Sequence, residues 1–168
     1  MAKERTQIMN ATQIQQKLTR MAHEIYENYY QEKELTLIGI GGRGKEVAKR
    51  LSELLSSISS IPVKLEYIDL NKDKPLSGEI GYTGEIKSLK GKTIILVDDV
   101  LNSGRTLIYA AKHLLDAEPK TMTTAVLVDR FHRRFPIRAD YVGLTLSTNL
   151  KEHIEVVMGG EDEAVYLQ

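Results

Sequence analysis

The chain of 168 residues is long enough to bury the core of one domain, and its 23 basic and 23 acidic residues give a formal net charge of zero. That balance excludes nucleic-acid binding through overall charge, and the absence of cysteine excludes disulfides, thiol catalysis and thiolate metal sites. Residues 1–10 lack the apolar core of a signal peptide, and no apolar run approaches membrane-spanning length. We therefore expect a soluble, cytoplasmic protein with a single domain over 1–168 and no membrane partner.

Helical and strand patterns alternate along the chain. Residues 11–30 have helical spacing, with Asn10 or Thr12 as candidate caps, and residues 35–40 form a short apolar strand. The later predicted elements are a helix with its apolar stripe over 47–55, a strand over 63–70, a mobile polar loop over 71–85, a strand over 93–97, a helix over 105–117, a strand over 121–128, a basic loop over 129–138, a strand over 141–146, and a hairpin of 154–158 with 164–167. This order predicts an α/β fold with a doubly wound, mainly parallel sheet flanked by helices, and a small C-terminal hood from about 129 and 150–168.

The stretch from Thr93 to Thr106 reads TIILVDDVLNSGRT and carries the strongest functional pattern. Its apolar start is typical of a buried parallel strand, and the carboxylates of Asp98 and Asp99 follow where ligands bind such sheets. The turn after them leads into a helix, whose free N–H groups and positive dipole end suit a phosphate. Carboxylates beside a phosphate cradle favour a phosphorylated sugar with free hydroxyls and a metal. The plainer interpretation is that the aspartates end a strand and Ser103 caps a helix.

A glycine-rich segment, GIGGRG at 39–44, is a second candidate for anion binding. We expect it to be a loop between a strand and a helix, where glycines let backbone N–H groups approach an anion closely. Arg43 adds a guanidinium that binds phosphate oxygens in a fork. Glycine turns of this kind are also common without any ligand, so the segment gains meaning only beside the aspartate stretch.

VDDVLNSGRT resembles the phosphoribosyl pyrophosphate (PRPP) signature of the type I phosphoribosyltransferases. LTRMAHE at 18–24, RGKEVAKRL at 43–51 and AVLVDRFHRRFPIRADYVG at 125–143 resemble one branch of that family, the bifunctional pyrimidine-operon attenuators that are also uracil phosphoribosyltransferases. The similarity spans about 11–143 and thins toward the C-terminus. It implies the type I phosphoribosyltransferase fold, PRPP and a nucleobase as substrates, Mg²⁺ as cofactor and a homo-oligomer.

The resemblance also implies roles for particular residues. Asp98 and Asp99 would hold the ribose hydroxyls, directly or through Mg²⁺, and their charge favours the oxocarbenium-like centre that forms as pyrophosphate leaves. The 5-phosphate would be surrounded by Asn102, Ser103, Gly104, Arg105 and Thr106. The pyrophosphate would be held by Gly41, Gly42 and Arg43.

Two segments depart from the pattern of that branch. Where the branch carries a Tyr-Arg-Asp-like segment whose arginine reaches the pyrophosphate, this chain reads LNKDK at 70–74, and the loop is several residues shorter. Lys72 or Lys74 supplies the positive charge there, and we assign Lys72 to catalysis with Arg43, although lysine does not replace arginine as a bidentate donor. The tail EVVMGGEDEAVYL is also shortened, which leaves the choice of base open.

Arg130 is our candidate for base recognition, because its guanidinium can donate to a base carbonyl. Backbone groups would read the base edge near Val156 and Val157. The alternative is that Arg130 only forms an ion pair with Asp129. An additional metal contact from Asp162 or Glu161 is a weaker candidate, since acidic tails are usually solvated.

Basic residues interleaved with Phe131 and Phe135 favour an RNA surface, because arginines contact phosphates and aromatic rings stack on bases. The candidate RNA contacts are Thr19, Arg20, His23, His132, Arg133, Arg134 and Arg138. The alternative is a solvated loop pinned by Asp140 and by the carboxylates of a dimer partner, and the zero net charge favours it.

These observations predict a phosphoribosyltransferase that converts uracil and PRPP to UMP and pyrophosphate with Mg²⁺. Two alternatives remain open. The first is an RNA-binding transcription attenuator that senses UMP or UTP and barely catalyses, and the second is a hypoxanthine or guanine phosphoribosyltransferase on the same fold.

Overall fold

The computed structural model describes residues 4–168 and contains three α-helices, one short 3₁₀ helix (Ile86–Leu89) and nine strands in that range. The strands are Thr6–Asn10 (β1), Leu35–Ile40 (β2), Val63–Asp69 (β3), Gly81–Tyr82 (β4), Thr93–Leu101 (β5), Thr121–Asp129 (β6), Tyr141–Thr145 (β7), Ile154–Val157 (β8) and Ala164–Leu167 (β9). The helices are Ala11–Tyr29 (α1), Gly41–Ile58 (α2) and Arg105–Leu115 (α3). None of these helices is long and apolar enough to span a bilayer.

A six-stranded sheet in the order β4-β3-β2-β5-β6-β7 forms the centre of the molecule. Every pair of neighbours is parallel except β3 and β4. Alternate residues of β5 point to opposite faces: Ile95 packs with the buried side chains of α1 and α2, and Leu96 packs with those of α3. Because helices cover both faces, the predicted doubly wound, mainly parallel α/β fold is confirmed.

Helix α1 begins at a capping box, in which the Asn10 carboxamide accepts from the Gln13 N–H and the Gln13 side chain accepts from the Asn10 N–H, both at 2.9 Å. The structure thus selects Asn10 over Thr12 as the cap. The predicted apolar face of the helix is buried, with Ile14, Leu18 and Ile25 fully inside. The helix docks on the sheet through this face.

A second sheet of three antiparallel strands, β1-β9-β8, forms the hood. The predicted C-terminal hairpin is present as β8 and β9. Strand β1 is not among the predicted elements, and it pairs with β9 through Thr6 opposite Leu167 and Asn10 opposite Ala164. The hood therefore joins two segments that are distant along the chain.

Three predicted boundaries are wrong. Strand β5 does not end at Val97 but runs to Leu101, because its parallel register with β6 continues through the pair Leu101 and Asp129. The predicted loop at 39–44 is absent, since α2 begins at Gly41 directly after β2. The predicted loop at 71–85 contains strand β4, where the hydroxyl of Tyr82 donates to the buried carboxylate of Glu66.

Candidate functional site

A cavity of about 390 Å³ opens at the carboxyl end of β5, between the sheet and the hood. This position follows from the fold, because open parallel sheets bind ligands beyond the carboxyl ends of their strands. The lining residues are Arg43, Lys72, Asp73, Asp98, Asp99, Val100, Leu101, Asn102, Ser103, Gly104, Arg105, Thr106, Leu107, His153 and Ile154. The cavity thus collects both predicted aspartates, the whole predicted phosphate cradle, Arg43 and Lys72.

Asp98 and Asp99 form the floor of the cavity as residues of β5 itself, with exposures of 2% and 7%. The Asp98 carboxylate accepts a hydrogen bond of 2.9 Å from the Asp99 N–H. Burial raises the pKa of Asp98 well above its usual value, and the neighbouring charge of Asp99 raises it further. Two carboxylates held this close, with little water, attract hydroxyl donors and cations strongly.

Helix α2 approaches the aspartates so closely that only glycine fits at Gly44. A β-carbon at that position would lie 2.9 Å from Oδ1 of Asp98 and 3.1 Å from the carbonyl oxygen of Val97. Gly44 therefore packs against the Asp98 carboxylate, and it does not itself line the cavity. The glycine segment acts here through helix packing as well as through any anion contact.

Lys72 lies over the floor from the loop side. Its ammonium is 3.7 Å from Oδ1 of Asp98 and 4.0 Å from Oδ1 of Asp99, and its side chain is 51% exposed. Its Cε would be 3.3 Å from a β-carbon at Gly41, a residue with φ of +62° that already favours glycine. Lys72 thus partly neutralises the aspartates and lies beside the start of α2.

The phosphate cradle is the turn between β5 and α3. Gly104 has a φ of +87°, and a β-carbon there would lie 2.7 Å from Ile137, so both conformation and space require glycine. The carbonyl oxygen of Ser103 accepts from the N–H groups of Arg134 and Phe135, which anchors the turn. Helix α3 then begins at Arg105, and the residues Arg105, Thr106 and Leu107 of its first turn line the cavity, where the end of a helix suits an anion. Gly104 occupies the N-cap position, but the hydroxyl of Ser103 accepts from the Arg105 N–H at 3.3 Å, so the predicted contact of Ser103 with the start of the helix is present.

The donor set suits a Mg²⁺ ion that arrives with a substrate. Within residues 4–168 no group of three or more acidic or histidine side chains is arranged to hold a metal by itself. Mg²⁺ usually takes one or two protein carboxylates and completes its shell with phosphate oxygens and water, and Asp98 and Asp99 beside a phosphate cradle fit that pattern. Asp162 lines a different cavity together with Glu161 and Val157, so it is not brought to the aspartate floor.

Arg130 is held by neighbouring residues rather than facing the cavity. Its guanidinium donates to the Asn102 side-chain oxygen at 2.9 Å, the Thr148 hydroxyl at 3.1 Å and the carbonyl oxygen of Glu152 at 2.6 Å. It does not pair with Asp129, whose carboxylate bonds to Arg133 at 2.9 Å. Burial lowers the pKa of Arg130, and the charge of Glu152 opposes that effect.

The hood contributes His153 and Ile154 to the cavity wall, two residues that sequence reasoning missed. Of the residues named for the base edge, Val156 is fully buried and Val157 lines the other cavity, and neither lines the aspartate cavity. The alternation of β8 alone does not show which end of the strand reaches the site. Only its pairing with β9, closed by reciprocal bonds of 2.9 Å between His153 and Gln168, fixes that end.

The residues named for RNA binding fall on two adjoining segments. On α1, the Arg20 guanidinium donates to the carbonyl oxygens of Val142 and Gly143, both at 2.8 Å, so the helix lies beside β7. His23 is exposed on the same helix, and the Thr19 hydroxyl bonds within it to Gln15. In the loop after β6, Arg134 and Arg138 are exposed, Arg138 pairs with Asp140 at 3.4 Å, and His132 bonds to Thr148.

A doubly wound sheet with an aspartate pair at the end of its central strand, followed at once by a phosphate cradle, defines the class of type I phosphoribosyltransferases. The chain belongs to the phosphoribosyl transferase domain family, whose model matches residues 4–159.

Three curated relatives are each described as "Bifunctional protein PyrR". The chain is 38% identical to that of Oceanobacillus iheyensis over 96% of this chain and 94% of the relative. It is 38% identical to that of Pelotomaculum thermopropionicum over 100% and 98%, and 37% identical to that of Thermus aquaticus over 94% and 93%. The predicted family and its bifunctional branch are thereby confirmed.

Solved structures share the fold at lower sequence identity. The hypoxanthine phosphoribosyltransferase of Trypanosoma cruzi superposes with a TM-score of 0.73 at 21% identity, over 84% of this chain and 81% of that one. A hypoxanthine-guanine phosphoribosyltransferase of Bacillus anthracis gives 0.69 at 22% identity, over 84% and 83%. Identities this low establish the common fold alone.

Proposed function

We propose that this chain transfers a phosphoribosyl group from PRPP to N1 of uracil, giving UMP and pyrophosphate. The observation that carries the proposal is the joining of Asp98, Asp99 and the 102–106 cradle in one cavity. A 5-phosphate in the cradle leaves the ribose hydroxyls to the aspartates, which accept hydrogen bonds from a diol. The bond from C1 of the ribose to pyrophosphate then breaks beside the carboxyl oxygens of Asp98 and Asp99, which stabilise the cationic sugar in the transition state.

The remaining residues hold the leaving group. Arg43 and Lys72 line the cavity and offer positive charge to the pyrophosphate. Gly41 and Gly42 do not line the cavity, so their role toward the pyrophosphate stays a prediction. Asp98 and Asp99 would hold Mg²⁺ together with the substrate, and the ion would supply positive charge to the departing pyrophosphate. Catalysis is by positioning and electrostatic stabilisation, with no covalent enzyme intermediate.

Uracil is the base we propose, and the similarity to the bifunctional branch over nearly the whole chain supports it. The purine alternative is supported only by a shared fold at 21–22% identity. The roles of Arg130, Val156 and Val157 in base recognition stay predictions. His153 and Ile154 line the cavity, so we expect these two residues to contact the base directly.

Pyrophosphate release with PRPP and Mg²⁺ tests the proposal, with uracil, hypoxanthine, guanine, adenine and orotate offered separately. We expect release with uracil and background release with the others. Release with a purine instead of uracil would make the chain a purine enzyme. Binding of UMP without release from any base would favour the attenuator.

A second candidate function is binding of a pyrimidine-leader RNA in response to UMP or UTP. The observation that favours it is the exposure of Phe131, at 68%, beside Arg133 and Arg134 on the surface. Phe131 has a φ of +64°, an uncommon conformation for a residue other than glycine, and this conformation holds the exposed ring next to the Arg133 guanidinium at 5.4 Å. Such an arrangement suits an unstacked base flanked by phosphates.

A gel shift with a pyrimidine-leader RNA, with and without UMP, tests this function. The double variant Arg133→Ala, Arg134→Ala should lose binding. The matched control is Lys92→Ala, Lys120→Ala, which removes two positive charges that pair with Glu34 and Glu32 elsewhere on the surface. Equal losses in both double variants would indicate general charge rather than a specific surface.

We also propose that the protein is a cytoplasmic homo-oligomer, as the resemblance implies. Size-exclusion chromatography with light scattering tests the assembly, and a mass equal to that of one 19.0 kDa chain would contradict it.

A further inference from the structure

Arg130 connects the two ends of the candidate cavity. Its backbone N–H donates to the carbonyl oxygen of Leu101, the last residue of β5, at 3.0 Å. Its guanidinium reaches Asn102 at the phosphate cradle on one side, and on the other side it reaches Thr148 and Glu152 in the turn that leads to β8. One planar group therefore joins the cradle to the hood.

The contact with Asn102 sets the orientation of an amide. A guanidinium only donates, so the atom of the Asn102 side chain that faces Arg130 must be the oxygen. The NH₂ group of Asn102 is thereby turned away from Arg130 and left free to donate to an anion in the cradle. Asn102 lines the cavity, whereas Arg130 does not.

The contacts on the hood side fix the opposite wall. The backbone carbonyl oxygen of Glu152 accepts from Nη2 of Arg130 at 2.6 Å, and the carbonyl oxygen of Asn149 accepts from the same nitrogen at 3.4 Å. The next residue, His153, lines the cavity and is pinned to Gln168 through both its backbone groups. Arg130 thus holds the chain one residue before His153, next to the pairing with Gln168 that fixes His153 itself.

We propose that Arg130 is a positioning residue that couples the phosphate cradle to the hood wall, so that both ends of a 5-phosphorylated ribonucleoside depend on it. This inference rests on the proposed function, since it takes a phosphoribosyl ligand to fill the cavity. It differs from a direct base contact, in which Arg130 would affect only ligands that carry a base.

Calorimetry with two probes separates these roles: ribose 5-phosphate, which fills only the cradle end, and UMP, which reaches both ends. Arg130→Lys keeps the positive charge, but a single ammonium cannot contact Asn102, Thr148 and Glu152 at once as the guanidinium does. We expect it to weaken ribose 5-phosphate binding roughly tenfold and UMP binding at least as much, given the usual worth of hydrogen bonds to charged groups. An unchanged affinity for ribose 5-phosphate would overturn the inference.

A double-mutant cycle provides a second test. If Arg130 acts on the phosphate through Asn102, then Asn102→Ala and Arg130→Lys together should weaken ribose 5-phosphate binding no more than about twofold beyond Asn102→Ala alone. If the loss of affinity in the double variant equals the product of the two single losses, the two residues act independently, which would contradict the coupling.

The control for folding is Arg50→Ala. Arg50 also joins separate elements, through Glu163 at 2.7 Å and Gln15 at 2.5 Å, but it does not line the cavity. Arg50→Ala should leave the affinities for ribose 5-phosphate and UMP within about twofold of wild type.

If Arg130→Lys does not fold, Thr148→Val provides the test, because it removes one hood partner of Arg130 from outside the cavity. It should still lower the affinity for both ligands. Unchanged affinities would reject the inference.

The wild-type protein distinguishes this inference from the proposed function. Failure of the wild-type protein to bind either probe would reject the proposed function and the inference with it. Binding of both probes without pyrophosphate release from any base would reject the proposed catalysis and leave the inference to the Arg130→Lys measurement. Wild-type binding that Arg130→Lys leaves unaltered would reject the inference alone.

Discussion

Lys72 places its ammonium 3.7 Å from the Asp98 carboxylate, and it does so from the loop that follows β3. The same loop is tied to the cradle, because the Arg105 guanidinium donates to the carbonyl oxygen of Asp73 at 3.3 Å. Asn71 shapes the turn by accepting from the N–H groups of Asp73 and Lys74 at 3.0 and 2.9 Å. A ligand on the floor therefore meets the Lys72 ammonium on a loop that is already attached to the cradle through Arg105.

Replacing Lys72 tests its assignment to catalysis. Lys72→Met removes a charge that we propose to meet the pyrophosphate, so kcat/KM for PRPP should fall about tenfold or more. Lys72→Arg should retain or exceed wild-type kcat/KM, because guanidinium binds phosphate oxygens in a fork. Steady-state pyrophosphate release measures both, and a Met variant as active as wild type would show that Lys72 only neutralises the empty floor.

Asp98→Asn with Asp99→Asn should remove nearly all turnover, since both negative charges near the reacting sugar are lost. The fold should survive, because burial already disfavours the charged form of Asp98. Thermal unfolding and pyrophosphate release on the same sample check the two statements. Turnover that persists in the double variant would disprove the assignment of the floor.

Gly44→Ala should impair catalysis although Gly44 contacts no ligand. Alanine is the better helix former by about 1 kcal/mol, but its β-carbon would lie 2.9 Å from the Asp98 carboxylate and push it out of place. Misplacement by about 1 Å costs up to about a hundredfold in rate. The matched control is Gly160→Ala, whose β-carbon would meet nothing within 4 Å. Equal activity of both variants would show that the floor tolerates the shift.

Tyr141 predicts a dependence of stability on alkaline pH. Burial raises the pKa of this phenol from 10.0 to about 12, and Asn28 donates to its oxygen at 2.7 Å. The folded state keeps the proton where the unfolded state loses it, so this stabilisation is complete below pH 10 and is lost as pH rises through about 12. The whole effect is at most about 2 to 3 kcal/mol.

Urea unfolding between pH 9 and pH 12 measures that dependence. The free energy of unfolding of the wild-type protein should fall more steeply with pH than that of Tyr141→Phe, because the other titrating groups are common to both. Parallel curves would mean that Tyr141 titrates alike in the folded and unfolded chains.

The functional stretch was predictable because its information is local. The apolar run before Asp98, the glycine at position 104 and the helix from Arg105 are all set by neighbouring residues, and they lie where the sequence predicts. The end of β5 was not predictable, because it depends on pairing with β6 across a helix. Asp98 and Asp99 are consequently buried strand residues and not residues of an exposed turn.

The hood shows the opposite case. Strand β1 has one buried residue, Met9, and its neighbours are mostly exposed, so it lacks the alternation that identifies a strand. It forms because β9 supplies hydrogen-bond partners from the far part of the chain. The cavity residues His153 and Ile154 depend on the same pairing, which explains why attention fell on Val156 and Val157 instead.

The pairing of β1 with β9 has a consequence for folding during synthesis. All six strands of the central sheet are made before Ala164 leaves the ribosome, so the aspartate floor and the cradle are able to assemble early. Strand β1 must wait throughout that time with an open edge, and unpaired edges are prone to wrong partners. The order of synthesis thus allows the phosphate cradle to form before the hood.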